Sequence, residues 1–169
     1  MSDVNLIEIA KKYEKNDEPG KAYQYYLEAA LADDDKDAVY ALANMYMLGD
    51  YVGEDFEKAA HYFEIAYERG YDLSPELFIF IGSGYENGDR YREKMPEAAR
   101  KWYQMAAEAG VDYAYACLGK LLYEGDCGEQ DYQKAYECFI KAGEKESMTL
   151  YYSKTNNIEK GYRFRKRSI

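Results

Sequence analysis

Apolar side chains recur along this chain at intervals of three and four residues, and four segments carry them in the same arrangement. They are Leu6/Ile9/Ala10/Tyr13, Val39/Leu42/Ala43/Tyr46, Phe78/Ile81/Gly82/Tyr85 and Tyr115/Leu118/Gly119/Leu122. A spacing of i, i+3, i+4, i+7 puts all four groups on one face of a helix. The third residue is always small, and successive copies of it lie 33, 39 and 37 residues apart. Each segment is followed by a second stripe: Ala22/Tyr26/Ala29, Ala59/Phe63/Ala66, Ala99/Tyr103/Ala106 and Ala135/Phe139/Ala142. Just before each ring stands another bulky or apolar residue, namely Tyr25, Tyr62, Trp102 and Cys138. This predicts four helical hairpins in which small residues of one helix seat rings of its partner. One hairpin cannot bury its own apolar face, so the hairpins must stack.

The polar punctuation sets the boundaries. Gly49-Asp50, Gly88-Asp89 and Gly125-Asp126 end the first helices of the last three hairpins. Asp55 and Asp131 are placed as N-caps, Ser74-Pro75 opens a first helix, and Met95-Pro96 and Gly110 bracket a second one. The hairpins are expected over residues 3–33, 36–70, 74–110 and 113–144 of a single domain, 1–169. From the closing glycine to the first alanine of the next stripe is 10, 11 and 10 residues, against 6 from Asn16 to Ala22. The first hairpin therefore has a tight turn and the others a longer loop. After Gly143 the pattern stops. Met148, Leu150, Tyr151 and Tyr152 are suited to covering the last hairpin, and Ile158 to Phe164 can form a short helix, so 146–169 reads as a C-terminal cap and basic tail.

Leu118-Gly119-x-x-Leu122-x-x-Gly125 followed by Lys134-Ala135-x-x-Cys138-Phe139-x-Lys141-Ala142 resembles the Sel-one-like repeat (SLR). Lys58-Ala59 with Tyr62-Phe63, Ala66 and Gly70 is similar to it, as is Ala99 with Trp102-Tyr103, Ala106-Ala107-Glu108 and Gly110. The resemblance covers about residues 37–143. Ala43 stands in place of the usual glycine, Cys138 in place of the usual Trp or Tyr, and Arg90-Tyr91-Arg92 makes the third loop irregular. It implies an all-α fold: a right-handed α-α superhelix, or solenoid, of about four helical hairpins with a C-terminal capping helix. It also implies a tetratricopeptide-like array that offers its concave side to a partner protein or peptide. By that analogy the concave residues are Ile7, Lys11 and Glu14, then Tyr40, Asn44 and Met47, then Ile79, Ser83 and Glu86, and finally Ala116, Lys120 and Tyr123. The last three sets are the candidate partner-binding groove. Their size and charge vary from copy to copy, as a peptide-reading surface requires, although such residues can also merely line the inside of the stack.

Charge and composition narrow the remaining classes. The net charge is −10, yet residues 160–169 hold five of the 22 basic groups and no acid, leaving 17 basic against 32 acidic side chains elsewhere. That acidic body opposes nucleic acid and anionic lipid. Base and ring alternate in the tail at Tyr162 and Phe164, a pattern suited to stacking on nucleotides, but its expected place is on the acidic body or in solvent. No apolar run approaches membrane-spanning length and no export pattern opens the chain, so the expectation is a cytoplasmic protein. Cys117, Cys127 and Cys138 show neither CxxC nor paired spacing, which argues against a zinc site or a disulfide scaffold.

Catalytic signatures are missing. The only histidine, His61, falls on a polar helix face. Gly82-Ser83-Gly84 lies inside a helix with no histidine to serve Ser83. Asp33-Asp34-Asp35 lacks the alternate spacing of a calcium loop and reads as a solvated connection with a helix cap. The expectation is a non-enzymatic adaptor with no cofactor and no metal. Two alternatives stay open: self-assembly through exposed hairpin ends, and a β-lactam-hydrolysing enzyme like the cysteine-rich members of the family, whose repeated cysteine pairs are missing here.

Overall fold

The computed structural model describes residues 5–32, 35–89 and 92–143. Among them are eight α-helices and no strand: α1 (Leu6–Lys15), α2 (Pro19–Ala32), α3 (Lys36–Leu48), α4 (Phe56–Glu68), α5 (Pro75–Asn87), α6 (Pro96–Glu108), α7 (Asp112–Glu124) and α8 (Tyr132–Ala142). The fold class is an all-α repeat superhelix built of helical hairpins. Asp33, Asp34, Arg90, Tyr91, the expected cap and the basic tail lie outside the described residues.

Side-chain caps start the helices where the pattern places them. Asp55 accepts from the Lys58 backbone N–H and Asp131 from that of Lys134, both at 3.0 Å. Asp35 accepts from Asp37 and Ala38 N–H at 2.8 and 3.1 Å, so the connection between the first two hairpins does end in a capping aspartate. α3 stops at Gly49, which takes φ 70° and whose missing Cβ would stand 3.1 Å from the Glu54 nitrogen. Both the left-handed backbone and the tight return of the loop need glycine there.

The chain divides between Leu73 and Ser74 into two compact units. In the first, α1 packs on α2, α3 on α4, and α2 on α3. Its core holds Ala10, Ala22, Tyr26, Ala29, Val39 and Leu42, all nearly inaccessible. Ile7 is buried there, whereas Leu6 and Tyr13 flank the core half-covered. The bulky residues that precede the seated rings find partners of their own. Tyr25 stacks on Tyr13 at 5.4 Å and Tyr62 on Tyr46 at 5.6 Å, while the Tyr46 hydroxyl meets that of Tyr23 at 2.9 Å. Equivalent ring pairs in successive hairpins account for much of the tyrosine in this half of the chain. Arg69 donates to the Ala30 carbonyl at 3.1 Å, tying α4 to the end of α2.

The second unit repeats the plan, with α5 on α6, α7 on α8, and α6 on α7. Here the small positions show why they are small. A Cβ on Gly82 would stand 2.6 Å from Tyr103 Cε1, and one on Gly119 would stand 2.6 Å from Phe139 Cε1. The ring of each second helix lies directly against the backbone of the first. Two details differ from the periodic pattern. In α7 the most buried leucine is Leu121, while Leu118 and Leu122 are half-exposed beside Cys138, itself only half-buried. These three, with Leu121 and Cys127, line a small cleft that Arg100 and Gln104 of α6 close from the preceding hairpin.

In the first unit, Ala43 occupies the same seat and is fully buried. Ala43→Leu is expected to overpack the α3–α4 contact and lower stability by about 1–3 kcal/mol, read as a lower urea midpoint. A midpoint equal to the parent's would remove Ala43 from the helix crossing.

Candidate functional site

α5 and α7 run side by side over the seated rings of α6 and α8, leaving a groove of about 470 Å³. Ile79, Ser83, Glu86 and Asn87 come from α5, and Tyr113, Ala116, Cys117, Lys120, Tyr123 and Glu124 from α7. Tyr103 and Phe139 form the floor. The heptad-like spacing of 79, 83 and 86, and of 116, 120 and 123, follows from the core stripe. Once Phe78, Ile81, Gly82 and Tyr85 face inward, the next residues round the helix face the groove.

One charged cluster sits at the base. Glu86 is buried, only 9% exposed. Its Oε2 accepts the Tyr103 hydroxyl at 2.6 Å and its Oε1 accepts the Lys120 ammonium at 2.6 Å. A carboxylate withdrawn from water costs several kcal/mol unless charge and hydrogen bonds compensate it, and these two donors do so. Burial, then the bond to Glu86, pushes the Tyr103 phenol well above its ordinary pKa. The bond to Glu86 likewise raises the Lys120 ammonium. Ser83 Oγ accepts from the Asn87 amide at 3.0 Å, a bond along one helix face. Burial pushes the thiols of Cys117, Cys127 and Cys138 up, away from the reactive thiolate. No group of three or more His, Cys, Asp or Glu side chains able to hold a metal occurs among the described residues.

The first unit has its own, smaller groove of about 350 Å³, lined by Lys11, Glu14, Tyr26, Asp37, Tyr40, Ala41, Asn44, Met45, Leu48, Asp50 and Tyr71. Tyr40 stacks on Tyr71 at 4.1 Å, and the Asn44 amide donates to the Tyr40 carbonyl. Tyr26 donates to Glu14 at 2.8 Å. Of the nine candidate residues, Ile79, Ser83, Glu86, Ala116, Lys120 and Tyr123 thus share one groove, and Tyr40 and Asn44 line the other. Met47 is half-buried outside that lining, where Met45 and Leu48 stand instead.

Sequence reasoning missed the glutamate–tyrosine bonds, though a signal for them was present. The residue four past the small position is Glu14, Met47, Glu86 and Tyr123 in turn, and the seated ring is Tyr26, Phe63, Tyr103 and Phe139. Glutamate appears where the opposing ring carries a hydroxyl and nowhere else.

Four segments of the chain, residues 13–34, 36–71, 80–111 and 113–147, match the family model described as the Sel1 repeat. The chain belongs to the Sel1 repeat family. Sel1 repeat proteins are generally non-catalytic, protein-interacting repeat proteins. The first matched segment begins inside α1, consistent with the short turn that sets that Sel1 hairpin apart. A curated relative described as an exopolysaccharide production negative regulator, from Rhizobium meliloti (strain 1021), is 30% identical over 143 residues, which are 79% of this chain and 52% of that protein. This Sel1 repeat chain therefore spans about half the length of the curated relative it matches. A solved structure of a protective antigen present in uropathogenic Escherichia coli strains, displaying an SLR fold, aligns with TM-score 0.52 and 27% identity over 83% of this chain and 30% of the other. A Sel1 repeat protein from Oxalobacter formigenes aligns with TM-score 0.49 and 18% identity, over 90% of this chain and 72% of its own. No helix among the described residues is long and apolar enough to cross a membrane.

Proposed function

We propose that this chain is a non-enzymatic adaptor that docks a peptide segment of a partner protein in the α5–α8 groove. The observation that carries the reading is a groove of about 470 Å³ with apolar and aromatic walls and one ion-paired cluster at its base. That is the composition of a recognition site: apolar area for affinity, with a few fixed polar groups for register. Membership of the Sel1 repeat family supports it, and the Rhizobium relative's role as a negative regulator favours a regulatory adaptor. Of the nine expected contact residues, the reading keeps the six in this groove as primary and treats Tyr40, Asn44 and Met47 as an accessory surface.

Capture of partners by the immobilised protein, followed by titration of the recovered partner, tests the assignment. Tyr123→Ala is expected to weaken that partner by at least about tenfold, the loss typical of an aromatic anchor in a groove. Glu108→Ala, on an exposed turn of α6, is expected to leave affinity unchanged. A partner held as tightly by Tyr123→Ala as by the parent would defeat the groove assignment.

A further inference from the structure

The two oxygens of Glu86 are held in different ways. Oε2 is fixed from inside by Tyr103, a ring 1% exposed that is locked against the Gly82 backbone. Oε1 is held by Lys120, whose side chain is 52% exposed and reaches over from α7 on a flexible four-carbon stem. One partner belongs to the interior, while the other is half-exposed and can turn into water when another cation takes its place on Oε1. A carboxylate accepts up to about four hydrogen bonds, and Glu86 spends two on these donors.

From this, and resting on the docking reading above, we infer that Glu86 is the recognition point for an arginine side chain of the bound peptide, with Lys120 as the cation it displaces. The charge on the groove walls fits. Among the described residues that line it, Glu86 and Glu124 stand against Lys120 as the one cation, and the floor from α6 and α8 is the uncharged Tyr103 and Phe139. Arginine suits this place better than lysine, because a planar fork can bridge a carboxylate while its face lies on a tyrosine ring. The apolar walls call for apolar residues beside it. The occupant is thus a partner segment with an arginine flanked by apolar side chains. The first unit's groove has the same sign, with Glu14, held by Tyr26, together with Asp37 and Asp50 against Lys11.

The probes are peptides selected on the full chain from a random twelve-residue display library, each then synthesised with its arginine and with glutamine in that place. Peptides that lose binding on Tyr123→Ala are the groove binders. Among them, arginine beside apolar residues is expected to be enriched, and Arg→Gln in the peptide should weaken binding at least about tenfold. Glu86→Gln keeps an acceptor for Tyr103 but removes the charge, and should abolish that tenfold difference between the two peptides. Lys120→Gln removes the competing cation and should tighten the arginine peptide several-fold relative to its Gln counterpart, read on protein whose far-ultraviolet circular dichroism matches the parent's. Groove binders without basic residues, or an arginine preference that survives Glu86→Gln, would overturn the inference while leaving the groove standing. Selected peptides insensitive to Tyr123→Ala would instead remove the groove itself. Tighter arginine-peptide binding after deletion of residues 160–169 would make the chain's own basic end the occupant and overturn the assignment to a partner.

Discussion

Trp102→Ala is expected to lower the free energy of unfolding by about 3–5 kcal/mol, the largest loss of any single truncation considered for this chain. The indole is 3% exposed on α6 and packs against Phe78 of α5 at 5.9 Å between ring centroids. Removing it deletes the bulkiest side chain of the second unit's core and leaves a void between two helices that are held apart by other rings. Neighbours such as Ala99 and Ala106 are too small to fill it. Urea titration followed by far-ultraviolet circular dichroism reads the effect as a lower midpoint. An unchanged midpoint would mean that the residue before the seated ring carries no part of the core.

Gly119→Ala comes second, and its sign is the informative part. On helix propensity alone the change should stabilise α7 by about 1 kcal/mol. The new methyl, however, would stand 2.6 and 2.8 Å from two carbons of the Phe139 ring and 3.1 Å from the Ala135 carbonyl oxygen. A ring edge and a backbone oxygen cannot both give way without parting the helices. A net loss of about 1–3 kcal/mol is therefore expected, measured in the same titration. Gly53→Ala, where a methyl would meet nothing within 4 Å, serves as the comparison and is expected to stay within about 0.5 kcal/mol of the parent. A Gly119→Ala protein more stable than the parent would show that α7 does not ride over the Phe139 ring.

Most of the fold was legible because it repeats. A small residue at 10, 43, 82 and 119, each with a ring to seat, is a rule that four copies state independently, and all four positions are buried. The capping aspartates Asp55 and Asp131 were equally readable, since a cap is a matter of three neighbouring residues. Where position depends on what lies beyond the hairpin, the pattern was a poorer guide. Leu118 and Leu122 fit the stripe, yet they are half-exposed because what faces them across a small cleft is the long polar side chains Arg100 and Gln104 of α6 rather than a ring.

The groove was readable in outline for a similar reason. Residues one step round the helix from the core stripe must line the surface beside it, which placed Ile79, Ser83, Glu86, Ala116, Lys120 and Tyr123 together. What spacing within a helix cannot convey is reach across helices. Glu86 was read as a surface contact, whereas the Tyr103 hydroxyl below and the Lys120 ammonium beside it make it a buried, neutralised group. Met47 illustrates the same limit. It lies between Met45 and Leu48 along α3, and the lining takes those two. Tyr113 and Cys117 entered the lining through the approach of α7 to α5, which no local pattern encodes.

The central claim is that ring and small residue fit one another across each hairpin. A double-mutant cycle between Gly119→Ala and Phe139→Leu tests it most directly. If the methyl collides with the ring, shortening the ring should relieve the collision, and the two losses should couple by at least about 1 kcal/mol in the double variant. Losses that simply add, within about 0.5 kcal/mol, would contradict the fit between these two positions.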